Sequence, residues 1–175
     1  MKPNQNLPIV IMYCDGAAEP NPGRGGYGII LRRDGSYEEK SGCYERTTNN
    51  RMELLAAIIG IESLKMPSQV TIFSDSRYVV DGAMNRITKK FVSYGSKKRP
   101  IPNADLWRRM MDSMRAHNVK LIWIKGHSGI EENERCDHLA NLAICGSESF
   151  IDDGYVYSST ARITENQPKV PQVQN

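Results

Sequence analysis

The sequence predicts an α/β fold: one five-stranded mixed sheet flanked by helices, in which an antiparallel meander of three strands is followed by two strands parallel to the first. Three observations lead there. Residues 10–14, 25–33 and 36–44 are strand-like runs close together in the chain, and Asp34-Gly35 between the last two is the strongest short hairpin signal, a type I′ turn. Residues 70–75 and 119–124 are rich in β-branched and aromatic side chains, and helical stretches precede each of them; crossovers of that kind make strands parallel. The first and fourth strands both end in aspartate, at Asp15 and Asp75. Parallel neighbours that end alike place those carboxylates at one edge of the sheet, where open α/β folds hold their ligands.

Taken in order, Val10-Ile11-Met12-Tyr13-Cys14 is almost wholly apolar, the pattern of a strand buried on both faces. It ends in Asp15-Gly16 and a Pro/Gly-rich loop. The third strand is more polar and belongs nearer an edge. A helix is predicted over 49–64, where Asn50 followed by Glu53 fits an N-cap with an acidic N3 residue. Ala56, Ala57 and Gly60 lie on or beside the Glu53 face, and Leu55, Ile58, Ile59 and Ile61 fill much of the rest, so this helix is heavily buried and approaches the sheet closely. Met66-Pro67-Ser68 stops it. A short helix starts at Ser76, and Asn103-Ala104-Asp105 caps another that carries Leu106, Met110, Met111 and Met114. Trp107 and Trp123 sit at apolar positions and read as core. The last helix spans 131–145 and ends at Gly146, a usual C′ residue.

The length of 175 residues suits one domain over 1–150, with a polar extension at 151–175 that reads as largely disordered. The longest apolar runs are far too short to span a bilayer, and the N-terminus has no signal-peptide apolar region. Cys14, Cys43, Cys136 and Cys145 show no CxxC pairing and read as reduced thiols of a cytoplasmic protein, expected to be a monomer. A net charge of +3 says little about partners, but its placement says more. Residues 82–104 contain no acidic side chain, while Arg86, Lys89, Lys90, Lys97, Lys98 and Arg99 all fall there. Such a run is either a solvated face or the attraction a polyanion needs.

Four acidic residues converge in this scheme. Taken singly, Asp15 and Asp75 are ordinary turn or cap residues, and Glu53 is the N3 partner of a capping box. Helical spacing puts Asp137 on an inward face with Asn133, Ala140, Ala143 and Ile144, while His138 and Asn141 lean away. A carboxylate facing a core costs about several kcal/mol unless it is paired or bound to a metal. Arg135 and Lys125 are the pairing alternatives, but spacing puts neither on that face. Carboxylates packed together raise one another's pKa, and a divalent cation relieves the conflict. Oxygen-only ligands favour Mg²⁺ or Mn²⁺ over Zn²⁺. Two such ions, about 3.5–4 Å apart, clamp the attacking and leaving oxygens of an in-line phosphoryl displacement.

The motifs that carry these residues resemble those of the type 1 ribonuclease H family. Asp15-Gly16 with Asn21-Pro22-Gly23 and Gly25-Gly26-Tyr27-Gly28 come first, then Thr47-Thr48-Asn49-Asn50-Arg51-Met52-Glu53-Leu54. Asp75-Ser76, Trp123 with Lys125-Gly126-His127, and Glu132-Asn133-Glu134-Arg135-Cys136-Asp137 follow in order. The likeness covers residues 9–144 and implies a ribonuclease H-like fold. It implies an endonuclease that hydrolyses the RNA strand of an RNA/DNA hybrid and leaves 5′-phosphate and 3′-hydroxyl ends. The family's DEDD cluster falls on Asp15, Glu53, Asp75 and Asp137, with two Mg²⁺ ions in the substrate complex and Mn²⁺ as a substitute. Asp15 bridges both ions in that pattern, and His127 matches a loop histidine involved in water activation or product release. The alternative for His127 is an exposed loop imidazole.

For the substrate, the resemblance assigns Gly16, Asn21, Asn49 and Asn50 to the minor groove, where the RNA 2′-hydroxyl is read. Asn50 doubles as a candidate helix cap. Thr48, Asn21 and Arg51 resemble the site that holds a DNA-strand phosphate, which positions the duplex without reading bases. Arg77 stands where the best-known pattern has glutamine, and it can donate to a base edge or a sugar. The basic run, with Arg86, Lys89, Lys90, Lys97 and Lys98, resembles the family's basic protrusion but is shorter and lacks its tryptophans. A different nuclease or strand-transfer domain of the same fold, a catalytically idle hybrid-binding module and a structural domain are the competing readings.

Overall fold

The computed structural model describes residues 7–83 and 101–156. Five strands form one sheet in the order β3-β2-β1-β4-β5: β1 Ile9–Glu19, β2 Gly23–Arg33, β3 Ser36–Thr47, β4 Gln69–Ser74 and β5 Asn118–Trp123. β1 pairs antiparallel with β2, and β2 with β3. β4 runs parallel to β1 and to β5. The sheet is flanked by helices α1 Asn49–Glu62, α2 Arg77–Asp81, α3 Ala104–Met114 and α4 Glu131–Cys145. This is the mixed topology expected from the sequence, with β3 at an edge. Asp34 and Gly35 take φ values of 49° and 76°, the pair of positive angles a type I′ turn demands.

Three expectations change. β1 does not stop at Asp15 but continues to Glu19, because β2 goes on pairing with it through Glu19 and Arg24. What ends near Asp15 is the parallel pairing with β4, whose last partner is Tyr13. β1 is also not buried on both faces. Val10, Met12 and Cys14 are fully buried beneath α1, whereas Ile9 and Ile11 are 62% and 37% exposed, since α4 covers only the carboxyl half of the other face. The cap of α1 is Thr48, not Asn50: its hydroxyl accepts from the Arg51 N–H at 3.4 Å. Glu53 therefore lies beyond the capping positions, and its carboxylate is released for other contacts.

Glycines set how closely the layers approach. A Cβ on Gly16 would strike the α1 backbone at Met52 and Glu53, and one on Gly28 would strike the Cys136 carbonyl of α4. Gly28 is the cross-strand partner of Asp15, and such partners share a face of the sheet. Asp15 therefore points toward the helix that bears Asp137, while its neighbour Gly16 lets α1 press on the opposite face.

Residues 151–156 are not a loose extension. Phe150 exchanges backbone hydrogen bonds with Cys43 and Glu45, and Asp152 is 5% exposed against Arg51. The predicted tail beyond 156 and the basic run of Arg86, Lys89, Lys90, Lys97, Lys98 and Arg99 lie outside the described residues. Among the described residues no helix is long and apolar enough to cross a membrane.

Candidate active site

The four carboxylates come from separate parts of the chain: Asp15 from β1, Glu53 from α1, Asp75 from just beyond β4 and Asp137 from α4. Burial comes first in pushing the Asp15 carboxyl up, to about 7, followed by the negative charge of Asp75, with Asp137 and Glu53 adding to it. The Gly16 N–H, which donates to Asp15 Oδ1 at 2.8 Å, opposes the rise without cancelling it. Burial and then Asp75 also raise Glu53, against a hydrogen bond from the Ser76 hydroxyl at 2.5 Å. Ser76 caps α2 with the same oxygen, which accepts from the Val79 N–H. One residue thus fastens the start of α2 to the α1 carboxylate.

Asp75 follows directly on β4. Asn133, buried in the first turn of α4, donates its Nδ2 to Asp75 Oδ2 at 3.0 Å. The oxygen of this amide, Asn133 Oδ1, is buried without a hydrogen-bond partner among the described residues. The same oxygen of Asp75 abuts Gly126, where any side chain would collide with it. The loop of His127 therefore passes against the cluster, and His127 itself is exposed with φ 50°. Asp137 is half-buried rather than turned into the core, and Oδ1 accepts from Asn141 Nδ2 at 2.9 Å. Asn141 was expected to lean away; it is exposed, but its amide reaches back over one helical turn.

Among the described residues no group of three or more His, Cys, Asp or Glu side chains stands in ready ligand geometry. The donor chemistry nonetheless suits a hard divalent cation. All four groups offer oxygen, and Asp15 and Glu53 are pushed toward their protonated forms by burial and then by neighbouring carboxylates, a conflict that a bound cation relieves.

Beside the carboxylates, the start of α1 is stitched to the β1–β2 connection. Asn49 Oδ1 accepts from the Ala18 N–H at 2.6 Å, and Asn21 Oδ1 from the Asn49 N–H at 3.2 Å. Asn50 is exposed one residue on, and Thr48 is half-buried at the cap. Arg51 does not join them. It is 2% exposed, and its guanidinium binds Asp152 through Nε and Nη2, at 2.7 and 2.6 Å, and Asp105 through Nη1 and Nη2, at 3.0 and 2.6 Å. A fork saturated by two carboxylates has no direction left for a phosphate, so Arg51 is removed from the expected phosphate-holding set. Trp123 is corrected as well. Trp107 is core, but Trp123 is 36% exposed, donates Nε1–H to the Asp75 carbonyl at 2.9 Å and lies beneath Arg77.

A family model for RNase H matches residues 8–145. The chain belongs to the ribonuclease H family. It is 48% identical over 143 residues to a ribonuclease H of Desulforamulus reducens, covering 80% of this chain and 90% of that protein. A ribonuclease HI of Synechocystis sp. is 44% identical over 150 residues, covering 83% and 94%. Among solved structures, LC9-RNase H1, a type 1 RNase H with the type 2 active-site motif, is similar with a TM-score of 0.73 at 28% identity, over 91% of this chain and 86% of that one. LC11-RNase H1, solved in complex with an RNA/DNA hybrid, is similar with a TM-score of 0.59 at 25% identity, over 78% and 96%. The family's fold is the sheet described above, and Asp15, Glu53, Asp75 and Asp137 lie near one another at one edge of it.

The sequence reading missed Ser76, Asn133 and Asp152. Asn133 had a signal, since helical spacing already set it on the Asp137 face. Ser76 had only its place beside Asp75, and Asp152 had none, lying in a polar stretch far from its partners.

Proposed function

We propose that this chain is an endoribonuclease that hydrolyses the RNA strand of RNA/DNA hybrids and leaves 5′-phosphate and 3′-hydroxyl ends. The observation that carries this reading is the family's fold, with Glu53, Asp75 and Asp137 brought near Asp15 at one edge of its sheet. Asp15, Glu53, Asp75 and Asp137 hold divalent cations, Mg²⁺ in the first place, with Mn²⁺ as a substitute. Ions held there would supply Lewis-acid chemistry for the attacking water and the leaving oxygen of the phosphodiester.

The chain's own residues prepare for this. Ser76 orients Glu53 and Asn133 orients Asp75, so both carboxylates are aimed before substrate arrives. His127, exposed on the loop against Asp75, is placed to carry protons between the site and solvent. Asn49 and Asn21, tied to each other and to Ala18, present with Asn50 and Gly16 the polar edge that reads the 2′-hydroxyl in the minor groove. Thr48 serves the DNA-strand phosphate, while Arg51 supports that region from within. Arg86, Lys89, Lys90, Lys97 and Lys98 supply attraction for the polyanion. The catalytic unit extends through residue 156, acts as a monomer and works in the cytoplasm, in keeping with its free cysteines.

A labelled RNA/DNA hybrid with Mg²⁺ tests the proposal. The expected result is cutting of the RNA strand, no cutting of a DNA duplex, and an Asp15→Asn variant that binds the hybrid but leaves it whole. A purified protein that leaves hybrids intact with either metal refutes it.

A further inference from the structure

Arg77 is the first residue of α2, two positions beyond Asp75, and is exposed. Its guanidinium lies over the Trp123 ring at 3.8 Å from the centroid. Among the described residues it has no hydrogen-bond or ion-pair partner, although Asp81 stands one turn on and the acidic cluster is nearby. An exposed arginine in such surroundings ordinarily folds onto a carboxylate; here an aromatic face holds it away. The same indole donates Nε1–H to the Asp75 carbonyl, so Trp123 joins the cation to the backbone of a site carboxylate. A guanidinium whose central carbon rests over a ring face leaves its N–H groups unspent, and their planar fork matches a phosphate bidentately.

We infer that Trp123 is a positioning residue that holds Arg77 against a backbone phosphate of the bound hybrid, beside the four carboxylates. This rests on the hybrid-cleavage reading above. It replaces the base-edge or sugar contact expected of Arg77 with a charge contact, which is independent of sequence and sensitive to salt. The indole sets where the charge stands, and the guanidinium supplies it.

The test is binding of a labelled RNA/DNA hybrid as a function of salt, in an Asp15→Asn background that leaves the duplex whole. Arg77→Gln is expected to lower the slope of log affinity against log salt by about 1, the counterion equivalent of one phosphate contact. Trp123→Leu is expected to lower the slope in the same way and to weaken binding about two- to fivefold. Trp123→Phe, which keeps a ring but loses the N–H, retains the slope. The Arg77→Gln/Trp123→Leu double variant binds no more weakly than Arg77→Gln alone. Should Trp123→Leu fail to fold, Trp123→Met, with apolar bulk and no aromatic face, carries the same expectation. An Arg77→Gln variant that weakens binding with an unchanged slope overturns the inference in favour of a base or sugar contact. A folded Trp123→Leu or Trp123→Met variant with the unaltered slope overturns the positioning role. Cleavage by the unaltered protein is scored separately: uncut hybrid sinks the parent reading, whereas normal cutting with unchanged slopes sinks this inference alone.

Discussion

Replacing Asp152 by alanine removes the buried one of the two carboxylates that hold Arg51. Asp152 accepts from Arg51 Nε and Nη2 at 2.7 and 2.6 Å, from the Thr47 hydroxyl at 2.6 Å and from the Tyr155 N–H at 3.3 Å. Its side chain is 4% exposed and that of Arg51 3%. Removing one partner of a buried pair costs about 3–5 kcal/mol, because the remaining charge is left uncompensated. Here Arg51 keeps Asp105, whose side chain is 45% exposed, so the low end, about 3 kcal/mol, is expected. For a domain of this size that lowers Tm by about 6–12 °C, at roughly 2–4 °C per kcal/mol. Thermal and urea unfolding of Asp152→Ala measure it. Deleting residues 151–175 should be at least as destabilising, and adding Asp152→Ala has no meaning in that background. A loss under about 1 kcal/mol in Asp152→Ala would show that the cluster is not a clamp, and the argument that residues 151–156 belong to the catalytic unit would fall.

Other expectations follow from the same contacts. Burial pushes the Asp105 carboxyl up, but the Arg51 hydrogen bonds and charge outweigh it and hold it below its ordinary value of 3.8. Its contribution to stability is therefore complete above that value and is lost as pH falls through the lower folded value, which an acid titration of Tm in Asp105→Asn against the parent will register. Asp15 behaves oppositely. With its carboxyl raised to about 7, the metal-free fold loses stability as pH rises from the ordinary value of 3.8 through 7, so Asp15→Asn should melt higher than the parent at pH 8, with the gap closing toward pH 4. Added Mg²⁺ should raise the melting temperature of the parent and not of Asp15→Asn; equal shifts would argue against ligation by Asp15. Gly28→Ala drives a methyl group into the Cys136 carbonyl and should cost at least about 1–3 kcal/mol, with a loss of cleavage as α4 and Asp137 move away. Asn133→Ala should cut cleavage with little change in hybrid binding, since only the aim of Asp75 is lost; an unchanged rate would refute that role.

Much of this was legible in residue order. Alternating and β-branched runs announced the strands, and Asp34-Gly35 marked the hairpin, because period and turn chemistry are local properties. The carboxylates were legible because the motifs around Asp15, Glu53, Asp75 and Asp137 sit in family order. The errors share one cause. Asn50 looked like the cap because Glu53 stood three residues away, but Thr48 had the extended backbone a cap requires, and φ and ψ are not written in spacing. Val10–Cys14 looked buried on both sides because apolar composition reports hydrophobicity, not which helix lies overhead. Arg51 was assigned to a phosphate by resemblance alone, and the partners that occupy it lie 54 and 101 residues on, beyond what local pattern can show.

By itself, then, the chain of letters determined the elements, their parallel or antiparallel sense and the acidic types placed at one sheet edge, since each follows from short-range patterning and crossover geometry. Only the tertiary structure decided how charges are disposed: that Arg51 is locked between Asp105 and Asp152, that Arg77 rests on Trp123 instead of a carboxylate, and that burial and nearby carboxylates push the Asp15 carboxyl up. Charge interactions depend on distance and burial, and both are set by which distant segments fold together.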